Sequence, residues 1–199
     1  MASGDVDGIT SGDGITSGDG GSTVTIGVSL AVPDPYGARI QDARARYGDP
    51  LARTVPTHVT LLPPTEVPRE RLGAIELQLS AAAARHRSFR VSLHGSDSFR
   101  PVSPVVYVRL GAGVRECRML EASVRSGLLA RELAFPYHPH VTVAQAVDES
   151  VLDRAQWDFR DYRAEFQVSG FCLYLFGADQ VWRPELHLGF GGADMGTDS

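Results

Sequence analysis

The tripeptide His-Val-Thr occurs twice in the chain, at 58–60 and 140–142, and each copy lies in a run of strand-forming residues. Side chains alternate between the two faces of a strand, so the imidazole and the hydroxyl of each copy point the same way while the valine points to the other face. With 6 His and 10 Thr among 199 residues, roughly 0.3 His-x-Thr triplets are expected by chance. Two imidazoles that titrate near neutral pH, each beside a hydroxyl, are suited to acid–base chemistry on a phosphate.

Two other interpretations of these histidines have to be weighed. A single copy is more simply explained as a buried histidine that is hydrogen-bonded to its threonine or to backbone, and only the pair favours catalysis. His138 also precedes His140 by two positions, and His-x-His is a common ligand pair of metal sites. A third ligand would have to come from Asp148 or Glu149, at the start of the next predicted helix. We therefore predict no metal, and expect His138 at the strand entrance, touching substrate or solvent.

The elements that position the two motifs alternate along the chain. Besides the two motif strands, hydrophobic patterning predicts strands at 24–32, 88–95, 104–110, about 164–176 and 181–190. It predicts helices near 36–47, 68–86, 114–130 and 149–158. Pro68 is expected to open the second helix, and the pair Pro63-Pro64 to end the first motif strand.

The order of these elements conceals a duplication. The strand that starts at Val24 lies 34 residues before His58, and the strand that starts at Val105 lies 35 residues before His140. Each half therefore reads strand, helix, motif strand, helix, strand. We predict an α+β fold of two pseudo-symmetric lobes, with antiparallel-rich sheets lining a central cleft and helices on the outside. A pseudo-twofold axis between the lobes would bring His58 and His140 across that cleft.

Composition is consistent with one domain between two tails. The Gly-, Ser- and Asp-rich ends, 1–22 with its tandem Asp-Gly-Ile-Thr-Ser-Gly and 191–199, are predicted to be disordered, which leaves a domain at 23–190. Six of the 24 acidic residues lie in those ends, so 18 acidic residues remain against 19 arginines. This near-neutral balance does not indicate a duplex-DNA binder.

The sequence gives few indications of localisation or of a role for its cysteines. The two cysteines, Cys117 and Cys172, are too few for a disulfide framework or a Cys-rich zinc site, and we expect both to be buried. The chain has neither a signal-peptide pattern nor an apolar stretch near the ~20 residues that span a bilayer. We expect a cytoplasmic monomer without a membrane partner.

The two motif segments carry a family resemblance. Thr57-His58-Val59-Thr60-Leu61 and Pro139-His140-Val141-Thr142-Val143 resemble the two signature motifs of the 2H phosphoesterase superfamily, and most of all its bacterial 2'-5' RNA ligase and RNA 2',3'-cyclic phosphodiesterase branch. The resemblance covers about 23–190 and extends to the duplicated lobe order. It implies an enzyme, a cyclic phosphodiesterase that needs neither a metal nor another cofactor.

The resemblance also implies a reaction and a role for each motif residue. Water attacks the phosphorus of a 2',3'-cyclic phosphate and the 3' oxygen leaves, giving a 2'-phosphate. His140 would be the general base and His58 the general acid, while Thr60 and Thr142 would donate hydrogen bonds to the non-bridging oxygens. Because the motifs are nearly identical, the acid and base could be exchanged, and reverse 2'-5' ligation would exchange them.

Residues outside the motifs could contact the rest of a substrate. Arg100 could anchor a phosphate at the cleft rim, and Phe99 or Tyr137 could stack on a base. Phe99 could equally fill the core, and Arg100 could be solvated. The expected partner is RNA with a cyclic phosphate end or a small cyclic nucleotide. The alternative function is a catalytically silent RNA- or nucleotide-binding module that uses the same cleft.

Overall fold

The computed structural model of the chain describes residues 22–133 and 135–191. The predicted disordered tails lie outside these residues, apart from Ser22 and Gly191. The described part of the chain forms eight strands: β1 Thr23–Ala31, β2 His58–Pro68, β3 Phe89–Ser98, β4 Val105–Leu110, β5 His140–Gln145, β6 Arg163–Val168, β7 Gly170–Phe176 and β8 Trp182–Gly189. It also forms four α-helices: α1 Tyr36–Tyr47, α2 Leu72–Ala84, α3 Val114–Val124 and α4 Glu149–Asp158.

The eight strands form one antiparallel sheet in the order β6-β3-β4-β5-β2-β1-β7-β8. The two motif strands, β2 and β5, are neighbours at its centre, where Val59 pairs with Val141. β1 flanks β2 on one side and β4 flanks β5 on the other, as the spacing of the motifs predicts. The predicted α+β fold with two similar lobes is confirmed, and each lobe contributes four strands.

The strands of each lobe are not consecutive in the chain. β3 follows the first motif in sequence but pairs with β4 and β6 in the second lobe, whereas β7 and β8 return to the first lobe. The single strand predicted at about 164–176 is therefore wrong, because Ser169 divides it into β6 and β7. These two strands are one residue apart in the chain but first and seventh in the sheet order, so the sheet must curl back on itself.

β2 continues through the two prolines that were expected to end it. Val28 of β1 pairs with Leu62, and the next regular pair is Ile26 with Thr65, so Pro63 and Pro64 lie at an irregularity of the ladder. A proline donates no ladder hydrogen bond and is tolerated at such a bulge. β2 therefore reaches Pro68, which is the last residue of the strand and precedes a short 3-10 turn, Arg69–Arg71, before α2 begins.

The helices cover the face of the sheet opposite the motif histidines. α1 and α4 have the predicted bounds, whereas α3 ends at Val124, short of the predicted 130, and a separate turn, Gly127–Leu129, follows. Cys117, a residue of α3, is buried, but Cys172 is only half-buried, so the expectation that both are buried is wrong for Cys172. Among the described residues, no helix is both long and apolar enough to cross a bilayer.

Candidate active site

The central strand pair places the two motifs side by side. Val59 and Val141 are 1% and 0% exposed and point into the core, so strand alternation directs the flanking His and Thr side chains to the opposite face. There His58, Thr60, His140 and Thr142 line one cavity of about 290 Å³. The structure thus brings together all four residues that were predicted to do chemistry.

Both histidines are held in the same tautomer by the backbone. His58 Nδ1 lies 2.6 Å from the carbonyl oxygen of Pro56, and His140 Nδ1 lies 2.7 Å from that of His138. A carbonyl oxygen can only accept, so each Nδ1 carries a hydrogen and each Nε2 has its lone pair available when the ring is neutral. Nε2 of His58 lies 3.0 Å from Thr60 Oγ1 and accepts a hydrogen bond from that hydroxyl.

Burial favours the neutral form of both imidazoles. Desolvation lowers the pKa of His140 to about 4, against a smaller raising effect of its bond to the His138 carbonyl, and the charges of His138 and His58 lower it further. Desolvation also lowers the pKa of His58, partly offset by its bond to Pro56, and the Arg44 charge lowers it further. A neutral imidazole is the form that a general base requires.

Aromatic rings surround His140. The Phe99 ring stacks on Tyr107 with centroids 4.2 Å apart, and both rings meet His140 edge-on, at 4.9 and 5.3 Å. The exposed His138 contacts the same pair of rings. Phe99 and His138, predicted to touch substrate, are therefore neighbours of His140 but do not line the cavity.

Tyr137 and Arg100 are bound to protein groups outside the cavity. The Tyr137 hydroxyl donates to the backbone oxygen of Thr60 at 2.8 Å, and its ring packs against the core, where burial raises the pKa of the phenol. Arg100 contacts three side chains of α4: Glu149 at 2.7 Å, Asp153 at 2.8 Å and Gln156 at 2.9 Å. This geometry gives no support to stacking by Tyr137 or to a phosphate anchor at Arg100.

The cavity wall also contains residues that the sequence reasoning missed. Their side chains carry a positive charge, an amide or an aromatic ring, and they are Arg44, Gln145, Tyr174 and Trp182. One signal was available for Arg44, which follows the apolar Ala43 and lies four residues after Ile40, on the buried face of α1. A charged residue in that position is unusual unless it has a partner.

Among the described residues, no group of three or more His, Cys, Asp or Glu side chains is arranged to hold a metal ion. Glu149, one of the carboxylates considered as a third ligand beside His138, is instead paired with Arg100.

The chain is similar to known proteins in sequence. The sequence model of the 2'-5' RNA ligase superfamily matches residues 32–180. A protein of Bacillus cytotoxicus named "Putative phosphoesterase" is 30% identical over 154 residues, which cover 74% of this chain and 87% of the relative. A Bacillus cereus protein that carries the same description is 32% identical over 143 residues, 70% of this chain and 81% of the relative.

Solved structures share the fold at lower identity. Escherichia coli LigT complexed with 3'-AMP superposes with a TM-score of 0.59 at 21% identity, over 85% of this chain and 99% of LigT. A Thermus thermophilus protein gives the same TM-score and identity over 84% of this chain and 98% of its own. These likenesses confirm the two-lobed arrangement of strands and helices.

Proposed function

The chain belongs to the 2'-5' RNA ligase superfamily of 2H phosphoesterases, and we propose that it is a phosphodiesterase that hydrolyses 2',3'-cyclic phosphates to 2'-phosphates. Family membership supports phosphoesterase chemistry in general. The specific proposal depends on one observation, the pair of imidazoles with matched tautomers that line one cavity beside two threonine hydroxyls.

The reaction uses the Nε2 atoms of the two histidines. Neutral His140 accepts a proton from water as the water oxygen bonds to phosphorus, and the bond from phosphorus to the 3' oxygen breaks. Protonated His58 gives its Nε2 proton to the departing oxygen, so the product is a 2'-phosphate with a free 3' hydroxyl. The enzyme ends with His140 charged and His58 neutral, and one proton passed to solvent and one taken up restore the starting state.

Binding of the anionic substrate favours uptake of a proton by His58. A phosphate anion beside an imidazole favours the imidazolium and raises its pKa, which opposes the effect of burial. Once protonated, His58 Nε2 becomes a donor, and the Thr60 hydroxyl is released to donate to a non-bridging oxygen. Thr142 donates to the phosphate from the other motif, where negative charge accumulates as water adds.

The size and lining of the cavity support a nucleotide as the substrate. LigT of Escherichia coli has been solved with 3'-AMP, with NADP+ and with ATP. A cavity of about 290 Å³ with Tyr174 and Trp182 in its wall suits a nucleotide unit, because aromatic rings stack on bases. The proposed substrates are the end of an RNA chain and a free nucleoside cyclic phosphate, because both present a terminal nucleotide with the cyclic phosphate.

Hydrolysis of 2',3'-cyclic AMP and of an oligonucleotide with a cyclic phosphate end tests the proposal. His58→Ala and His140→Ala are each expected to lower kcat by about 10²- to 10⁴-fold, as the loss of a general acid or base does. His187→Ala, on the exposed part of β8, is the matched control and should leave kcat unchanged. Activity should persist in chelator, and the product should be the 2'-phosphate.

Two outcomes would contradict the proposal. Equal activity of all four proteins would exclude two-histidine catalysis. Tight binding of the nucleotide without turnover by the unaltered protein would instead favour the silent binding module. A 3'-phosphate product would keep the enzyme but show that the 2' oxygen, not the 3' oxygen, leaves.

A further inference from the structure

Arg44 is a buried cation in the wall of the cavity. It projects from α1, is 2% exposed, and lines the cavity with Val55, Pro56 and His58. Among the described residues that line this cavity, it is the one arginine. A fixed positive charge in a partly desolvated wall attracts an anion more strongly than the same charge in water does.

Two protein contacts fix the plane of the Arg44 guanidinium. Its Nε donates to Asp49 Oδ2 at 2.8 Å, and the Asp49 side chain is fully buried. Its Nη1 donates to the carbonyl oxygen of Val55, also at 2.8 Å, with a longer contact to Gln41. The side chain is therefore rigid and cannot turn away from the cavity without breaking a buried ion pair.

The third nitrogen, Nη2, is available to a ligand. Within residues 22–133 and 135–191, the hydrogen bonds of Arg44 to protein use Nε and Nη1. In the same part of the chain, every enclosed side-chain nitrogen or oxygen has a hydrogen-bond partner. Nη2 therefore retains some accessible surface, and Arg44 is one of the residues whose surface lines the cavity.

Arg44 and Asp49 hold the loop that leads to His58 together with Gln41. Gln41 ties that loop to α1, because its amide donates to Ala52 and Val55 carbonyl oxygens and its oxygen accepts from Thr57. Replacing a buried ion pair by apolar residues is often neutral or stabilising. A structural role therefore does not by itself require an arginine at this position.

We propose that Arg44 is a phosphate-binding residue, whose Nη2 donates to a non-bridging oxygen of the substrate phosphate. The inference rests on the proposed function, since it assigns a residue to the phosphate in the same cavity. Asp49 orients the guanidinium, and the buried pair supplies a charge-assisted donor beside His58 that complements the two threonine hydroxyls.

Binding of inorganic phosphate, measured by calorimetry or ³¹P NMR, tests this role without turnover. Two variants remove Nη2: Arg44→Lys, which keeps a cation for Asp49, and the double variant Arg44→Met with Asp49→Asn, which leaves no unpaired charge. We expect each to weaken phosphate binding about tenfold or more, as loss of a hydrogen bond to a charged group does. KM for 2',3'-cyclic AMP should rise similarly, with a smaller change in kcat.

The controls separate binding from folding. Arg46→Met, on the exposed face of the same helix, removes an equal charge and should leave phosphate binding unchanged. Gln41→Met loosens the loop without changing charge and should also keep its phosphate affinity. Circular dichroism establishes that each variant is folded.

Each result of these binding measurements either supports or overturns the role of Arg44. Wild-type phosphate affinity in both folded Arg44 variants would overturn the inference, as would an equal loss in Gln41→Met. If the unaltered protein binds phosphate through Arg44 but hydrolyses no cyclic phosphate, the proposed function is wrong and the inference stands.

Discussion

His58 and His140 share one backbone geometry but have different neighbours. Each Nδ1 donates to the carbonyl oxygen two residues earlier, and each Nε2 belongs to the same cavity. On the first side the neighbours are polar, with the Thr60 hydroxyl on Nε2 and the Arg44 charge nearby. On the second side they are the aromatic rings of Phe99 and Tyr107.

The difference shows how a duplicated motif can supply two unlike groups. The His-x-Thr strand sets the tautomer and direction of each imidazole, so these properties are repeated. The residues packed around the ring come from loops and strands that the duplication does not repeat. Apolar packing favours the neutral form and suits a base, whereas a polar wall that receives a phosphate suits an acid.

The largest expected effect is a difference in kcat between the two histidine variants that depends on the leaving group of the substrate. In bis(4-nitrophenyl) phosphate, which has no nucleoside to fix its orientation, the leaving phenolate is stable without a proton, so a general acid is not needed. His58→Ala should lose about 10²- to 10⁴-fold in kcat on the cyclic phosphate but much less on the aryl ester. His140→Ala should lose heavily on both. Recovery of His140→Ala instead would reverse the assignment of acid and base.

Substitutions of Thr60 and Thr142 should also lower kcat by different amounts, because the two hydroxyls have different neighbours. Removing one donor to a developing oxyanion costs on the order of 10²-fold in kcat, and we expect about this loss in Thr142→Val. Thr60→Val should lose less, because its hydroxyl also donates to neutral His58 Nε2, and removing that bond favours the protonated acid. Steady-state kinetics with Thr60→Ser and Thr142→Ser as controls measures both. Equal losses would show that the bond to His58 has no catalytic consequence.

Phe99→Leu should shift the pH dependence rather than abolish activity. With less desolvation, the pKa of His140 rises from about 4 toward its ordinary value, so a higher pH is needed to keep the base neutral. The acidic limb of kcat/KM should move to higher pH, with at most a few-fold change at the optimum. Phe135→Leu, an exposed aromatic residue, is the control. An unmoved limb would show that Phe99 does not set the hydration of His140.

Tyr137→Phe should have the smallest effect. It removes the hydroxyl that donates to the Thr60 backbone oxygen, so the free energy of unfolding should fall by about 1 kcal/mol with little change in kcat. Urea denaturation measures the loss. Tyr47→Phe removes the exposed bond to Asp158 and should lose less. A kcat change larger than that of Thr60→Ser would mean that Tyr137 positions the motif strand.

The sequence predicted the motif geometry because it depends on local periodicity alone. A repeat of two fixes the face of His58 and Thr60 wherever the strand lies. The bounds of α1 and α4 were predicted too, whereas α2 and α3, whose apolar residues recur at helical spacing, are shorter than predicted. The direction of the motif side chains on the central strands could therefore be predicted from the motifs alone.

The remaining features depend on partners that are distant in sequence. The break at Ser169 arises because β6 pairs with β3 and β7 pairs with β1, and no local pattern records those choices. Arg100 was predicted at the cleft, but its carboxylate partners lie about 50 residues later on α4. Tyr174 and Trp182 reach the cavity only because β7 and β8 return to the first lobe.

The non-consecutive order of the strands in each lobe has a consequence for dividing the chain. A fragment cut near Arg100 would contain β1, β2 and β3, but β3 would lack β4 and β6, and β1 would lack β7. The complementary fragment would have the same defect in reverse. Neither product retains a closed set of hydrogen-bonded neighbours, so the ancestral repeat visible in the sequence is no longer a unit that can be excised and expressed by itself.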